Sequence, residues 1–198
     1  MHAKPQTIAL ANTRAAILDL AERLLQEKGY NAFSYKDISN PLGIKNSAVH
    51  YHFPNKTALG VATLRRYRER FQDYILGFEQ SDADPLAKLN GYIAIQIDHL
   101  RNGYRICPLG ILEAEYNSIP PELRAEAQAL EKEIWFWVRG TLAAGREQNI
   151  FHFMGTSEDK ACLIAAALQG ALQMARTAGQ SSFFAIVRQL KRDLGLKE

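Results

Sequence analysis

Between Tyr35 and Phe53 the chain reads YKDISNPLGIKNSAVHYHF, two helical segments too short to stand alone and joined through one glycine. Ser34 is an N-cap candidate for the first, because its hydroxyl can accept from the backbone N–H of Asp37 while that carboxylate returns the bond. Ile38 and Leu42 then lie on one face. Gly43 follows where a helix end needs a residue that tolerates positive φ. Ile44 supplies an apolar contact across the turn, and the second helix begins near Asn46 or Ser47. Val49 and Phe53 face inward, which turns Ser47, Ala48, His50 and Tyr51 outward. Two helices so joined form a helix-turn-helix, whose second helix enters the major groove of DNA while the first crosses the backbone. Small residues at Ser47 and Ala48 permit close approach, and Lys45, His50, Tyr51, His52 and Lys56 are placed for flanking phosphates. An ordinary helical corner with solvated polar residues also satisfies this spacing.

Charge separates that reading from a uniformly basic architectural protein. Residues 1–70 carry 11 Lys or Arg against 5 Asp or Glu, whereas the remainder carries 13 against 16. Only the first third suits a polyanion. No run of 18 apolar residues occurs, so no membrane span is expected. The segment MHAKPQTIALANTR lacks the parts of a secretory signal. Cys107 and Cys162 form neither a disulfide framework nor a metal pattern, so a reducing cytoplasm is expected.

Periodicity predicts nine helices and no strand, an all-α fold with a three-helix head over residues 1–55 and an effector and dimerisation body over 56–198. Residues 1–11 read as a mobile arm whose Lys4 reaches toward phosphate. Thr13 caps a helix to about Lys28, ended by Gly29. The head core is expected from Leu20, Leu24, Phe33, Ile38, Leu42, Val49 and Phe53. After Pro54-Asn55 a connecting helix runs from Lys56 to about Glu79, with Arg65, Arg66, Arg68 and Arg70 as a solvated flank. Asp84-Pro85 starts the next helix, ending at Asn102-Gly103. A short helix over about 109–116, a long one from Pro120-Pro121 to about Arg146, and two from Thr156 or Ser157 to Ala178 and from Ser182 to Leu194 complete the chain. The last two are apolar around much of their surface. Ala166, Ala167, Gly170, Met174, Phe183 and Val187 are expected to pair with a second copy in a four-helix, two-fold interface.

A pocket is suggested by amphipathic aromatics on the body helices, Phe71, Tyr74, Tyr92, Tyr104, Tyr116, Trp135 and Trp137, with Gln96, His99, Glu113 and Arg139 as directing polar groups. For each aromatic, plain helix-helix packing is the competing assignment. Cys107, beside Arg105 and before Pro108, is either a soft nucleophile at a helix start or an inert buried thiol. Cys162 reads as inert. No glycine-rich phosphate loop, nucleophile elbow or HExxH is present. His50 with His52, and Glu113 with Glu115, are two residues apart and do not face each other on a helix, so neither is a metal pair. An enzyme is not expected, nor a cofactor or metal.

Over Thr13–Leu59 the sequence resembles the tetracycline-repressor (TetR) family of bacterial one-component regulators, through Gly29, the DIS at 37–39, Gly43, VHYHF at 49–53, and Lys56 with Leu59. The resemblance implies a homodimer whose heads bind a palindromic double-stranded operator, whose last two helices dimerise, and whose body releases DNA when a small molecule enters. It implies that Lys56 holds phosphate at a helix N-terminus and that Tyr51 contacts the backbone or base edges. The chain departs from the family pattern at Lys45, Ser47, Ala48 and His50. Lys45 loses a capping hydroxyl that Asn46 is placed to replace, and Pro41 should distort the final turn of the first short helix. CPLGILEAEY, Cys107 to Tyr116, resembles a subgroup in which some members sense electrophiles or oxidants through cysteine and others bind unsaturated or aromatic molecules. The alternatives to a repressor are an activator of the same fold, a thiol sensor using Cys107, and a helical binding protein without DNA activity.

Overall fold

The computed structural model describes residues 5–196; residues 1–4, with the phosphate contact expected of Lys4, lie outside the described residues. Nine helices and no strand occur among the described residues: α1 (Pro5–Lys28), α2 (Tyr35–Ser39), α3 (Asn46–His52), α4 (Lys56–Gln80), α5 (Pro85–Arg101), α6 (Pro108–Ala114), α7 (Pro121–Glu147), α8 (Ser157–Ala178) and α9 (Gln180–Arg192). The first departs from expectation: α1 starts at Pro5 rather than at Thr13. Proline suits a first helical position, and nothing between it and Thr13 breaks a helix.

Local chemistry sets the other boundaries. The capping box at Ser34 and Asp37 is present, with Asp37 Oδ2 accepting from the Ser34 N–H at 2.8 Å and from its hydroxyl at 2.7 Å. α2 ends at Ser39. Pro41 has no N–H to continue the ladder, and the chain closes instead through Gly43 N–H to Asn40 O and Ile44 N–H to Ser39 O. Gly43 takes φ +63° to do so. Asp84 caps α5 through its side chain to Ala87 N–H, with Pro85 in the first turn. Thr156 caps α8 the same way through Asp159 N–H.

Leu20, Leu24, Phe33, Ile38, Val49 and Phe53 are buried as the head core, while Leu42 is only partly covered. This small core leans on α4, which packs against both α1 and α7. Tyr67 and Phe71 bury the later part of α4 in the body. Of the α4 arginines expected as a solvated flank, Arg65 and Arg70 are exposed and Arg66 and Arg68 half-buried, and all four pair with neighbouring helices. Arg65 and Arg68 reach Glu126 and Glu133 on α7, whereas Arg66 and Arg70 reach Asp19 and Glu22 on α1. The helical turn sends alternate members of the run to opposite neighbours, so α4 is braced on both flanks.

Candidate nucleic-acid interface and effector cavity

Val49 and Phe53 anchor α3 from below, and the Tyr35 hydroxyl donates to Phe53 O at 2.8 Å, closing the end of α3 onto α2. Lys45, Ser47, His50 and Tyr51 are exposed, with Ala48 and His52 half-buried. Tyr51 stands out at 73% exposure. Asn46 does not cap α3: Lys45 is the N-cap residue and makes no capping bond, while Asn46 Oδ1 accepts from the Ser39 hydroxyl and ties α3 to α2. His50 lies against the Tyr35 ring at 4.6 Å, its Nδ1 3.3 Å from Pro54 O, and the His52 ring meets the Tyr51 edge at 5.2 Å. Lys45, Ser47, Ala48 and Tyr51 therefore form the outward face, with Asn46 tied to α2 and His50, though exposed, leaning on the Tyr35 ring.

Lys56 opens α4, where Asn55 caps through its side chain to Ala58 N–H at 2.8 Å. Its ammonium sits 4.7 Å from the centroids of both Tyr30 and Phe33. Burial holds its pKa below the usual lysine range, partly offset by Glu115 and Asp37. Two ring faces thus fix the direction of this cation at the start of α4.

The expected effector residues separate into two groups. A cavity of about 420 Å³ opens between α1, α4 and α5, lined in part by Gln26, Tyr67, Phe71, Tyr74, His99 and Arg105. One polar chain runs along its wall. The Gln26 amide lies 3.0 Å from His99 Nδ1, His99 Nε2 lies 3.2 Å from the Tyr67 hydroxyl, and that hydroxyl lies 3.8 Å from Cys107 Sγ. Because an amide NH₂ only donates, Nδ1 accepts and Nε2 carries the proton. Gln26 and Tyr67 were not anticipated, yet Tyr67 continues the helical spacing of Phe71, Tyr74 and Phe78.

Tyr92, Glu113 and Trp135 instead line a smaller cavity of about 240 Å³ against α8. Burial raises the Glu113 pKa, and Gln169 opposes this through a hydrogen bond. Trp137 packs among Phe71, Phe78 and Tyr92. Gln96 is buried on α5, and its Oε1 and Trp137 Nε1 have no partner among the described residues. Tyr116 and Arg139 line neither cavity. Tyr116 accepts from Gln128 under Arg124, and Arg139 pairs with Glu158 over the Trp135 ring. Tyr104 is 41% exposed in a turn at φ +56°. Separations in sequence do not reveal which helices enclose a void, which explains this mixed outcome.

Burial pushes His99 down from its ordinary 6.5 to about 4. Between those values the unfolded chain binds more protons than the folded one, so this group makes stability rise with pH across the window and level off above it. At about 1.4 kcal/mol per unit, the full effect is on the order of 3 kcal/mol. A His99→Gln protein is expected to lose this part of the slope when urea midpoints are compared between about pH 5 and pH 7.5.

The model of bacterial regulatory proteins of the tetR family matches residues 17–63. A TetR-family transcriptional regulator from Agrobacterium tumefaciens is 31% identical, covering 92% of this chain and 98% of its own, at TM-score 0.86. The chain belongs to the TetR family. A TetR regulator from Legionella pneumophila is 26% identical over 90% of this chain and 95% of its own, at TM-score 0.81. The HTH-type transcriptional repressor KstR2 of Mycobacterium tuberculosis is 23% identical over 142 residues, 70% of this chain and 68% of its own.

TetR membership makes this chain a ligand-responsive DNA-binding regulator in general terms, and not an enzyme. No helix among the described residues is long and apolar enough to cross a membrane. On the face expected to dimerise, Ala166 and Met174 are exposed and Ala167 and Gly170 half-covered, with Leu163 continuing the stripe at 50% exposure. Phe183 and Val187 point the other way. They are buried inside the protomer, because α9 turns its most apolar side onto α8 and the core. Of the two cysteines only Cys162 differs from expectation. Cys162 is exposed, whereas Cys107 is buried at the start of α6. Backbone N–H groups of Leu109 and Gly110 favour the Cys107 thiolate, yet burial outweighs them and raises its pKa.

Proposed function

We propose that this TetR-family regulator is a homodimeric repressor that binds a palindromic operator through the outward face of α3 and releases it when a small molecule occupies the cavity between α1, α4 and α5. The observation that carries this reading is the shared wall of that cavity: Gln26 belongs to the head, while Tyr67, Phe71 and His99 belong to the body. An occupant touches both at once, so its binding energy can favour one head pose over another. The exposed stripe from Leu163 to Met174 supports pairing through α8, and a repressor relative supports the sign of regulation.

Footprinting of the purified protein around its own gene tests the reading. A palindromic protection is expected, with half-site centres about 34–36 Å apart or a helical-turn multiple, and affinity should fall steeply with added salt. A salt-insensitive footprint, or none, would remove the interface. The covalent alternative is disfavoured by the burial and raised pKa of Cys107; a Cys107→Ser protein should keep its effector response.

A further inference from the structure

We propose that Glu115 and Arg176 are positioning residues that clamp the end of α1 and thereby set the pose of the DNA-binding head. Glu115 follows the last residue of α6. Its Oε2 accepts from the Tyr30 N–H at 2.7 Å and its Oε1 from the Asn31 N–H at 3.4 Å. Gly29 makes room: it takes φ +91°, and a Cβ there would lie 2.6 Å from Glu115 Oε1. Asn31 adds a side-chain bond to the Ser118 hydroxyl at 2.8 Å.

From the other side Arg176, on α8, reaches the carbonyls that α1 leaves open. Its Nη2 donates to Gln26 O at 2.8 Å and to Glu27 O at 3.5 Å, while Nε donates to Tyr104 O at 2.9 Å. A cation on the last carbonyls complements the negative end of the helix, whereas the Glu115 carboxylate is held against that end by charge-assisted bonds from the N–H groups just beyond it. Two body helices thus hold one turn of the head with opposite charges, through its backbone. Such bonds depend on where the turn is, not on its side chains.

The clamp connects at both ends. Tyr30, gripped through its N–H, packs its ring under Lys56, and a Cβ at Gly60 would lie 2.8 Å from that ring. Tyr30 therefore links Glu115 to Lys56, and the inference rests on the proposed function only for its effect on DNA. At the opposite end of α6, Cys107 meets the Tyr67 hydroxyl on the cavity wall. A helix of seven residues is about 10 Å long and moves as a unit, so a displacement at its start is delivered at its end.

The test uses full-length protein with Cys162→Ser and spin labels at cysteines replacing Ser47 on α3 and Ala125 on α7. The label distance is expected to be narrow, and to broaden in Glu115→Ala and in Arg176→Ala, with Glu115→Gln intermediate and helical content unchanged. In parallel, Glu115→Ala should bind the operator about ten-fold more weakly and lose discrimination against half-sites moved one base pair apart or together. An unchanged narrow distance in both alanine proteins overturns the clamp, whatever happens on DNA. Broadening without any operator binding by the parent upholds the clamp and removes the proposed function instead.

Discussion

A Tyr51→Ala protein is expected to lose about 5- to 150-fold in operator affinity, the worth of about 1–3 kcal/mol for a good base-edge or backbone contact, while its melting temperature stays within a few degrees of the parent. The side chain is 73% exposed, and its described contact is the His52 ring edge, so folding has little to lose. By contrast Lys56→Ala should lower both affinity and stability, since its ammonium also covers Tyr30 and Phe33. Fluorescence anisotropy on a labelled operator, read beside thermal melts, separates the two. Wild-type affinity in the Tyr51 variant would take α3 out of the groove.

The second large effect distinguishes the two sides of the α8–α9 layer. Phe183 is fully buried, so Phe183→Ala should cost about 3–5 kcal/mol of protomer stability through the cavity it leaves, seen as a lower urea midpoint. Leu163→Arg should do the reverse. At 50% exposure on the outer stripe, the new cation costs the protomer little, yet in a two-fold interface it meets an apolar partner surface and its own symmetry mate. Sedimentation is expected to show a folded monomer at concentrations where the parent pairs. If Leu163→Arg sediments as the parent does, pairing does not use this stripe.

These contrasts show what was legible in the residues. Caps, breakers and apolar spacing are local, so Ser34 with Asp37, Gly43, Asp84-Pro85 and the head core could be read directly. Pairing across elements is not local. The ion pairs of the α4 arginines are hidden in the sequence because Asp19, Glu22, Glu126 and Glu133 become neighbours only after α1 and α7 flank α4. Phe183 and Val187 looked available for pairing because an apolar helix does not record which face meets its own chain. Tyr116 and Arg139 suit a pocket by residue type, yet each is occupied by a partner on its own side of the body. Thr13 offers the better cap, yet a capping preference does not oblige a helix to start there, and α1 begins at Pro5.

The arginine bracing of α4 makes ionic strength act twice on this molecule. Mobile ions compete with the phosphates for the basic face, and the same ions screen the pairs that brace α4 against α1 and α7. A steep decline in operator affinity with salt therefore reports more than counterion release. A cell that accumulates salt under osmotic stress would loosen the grip and the frame behind it together.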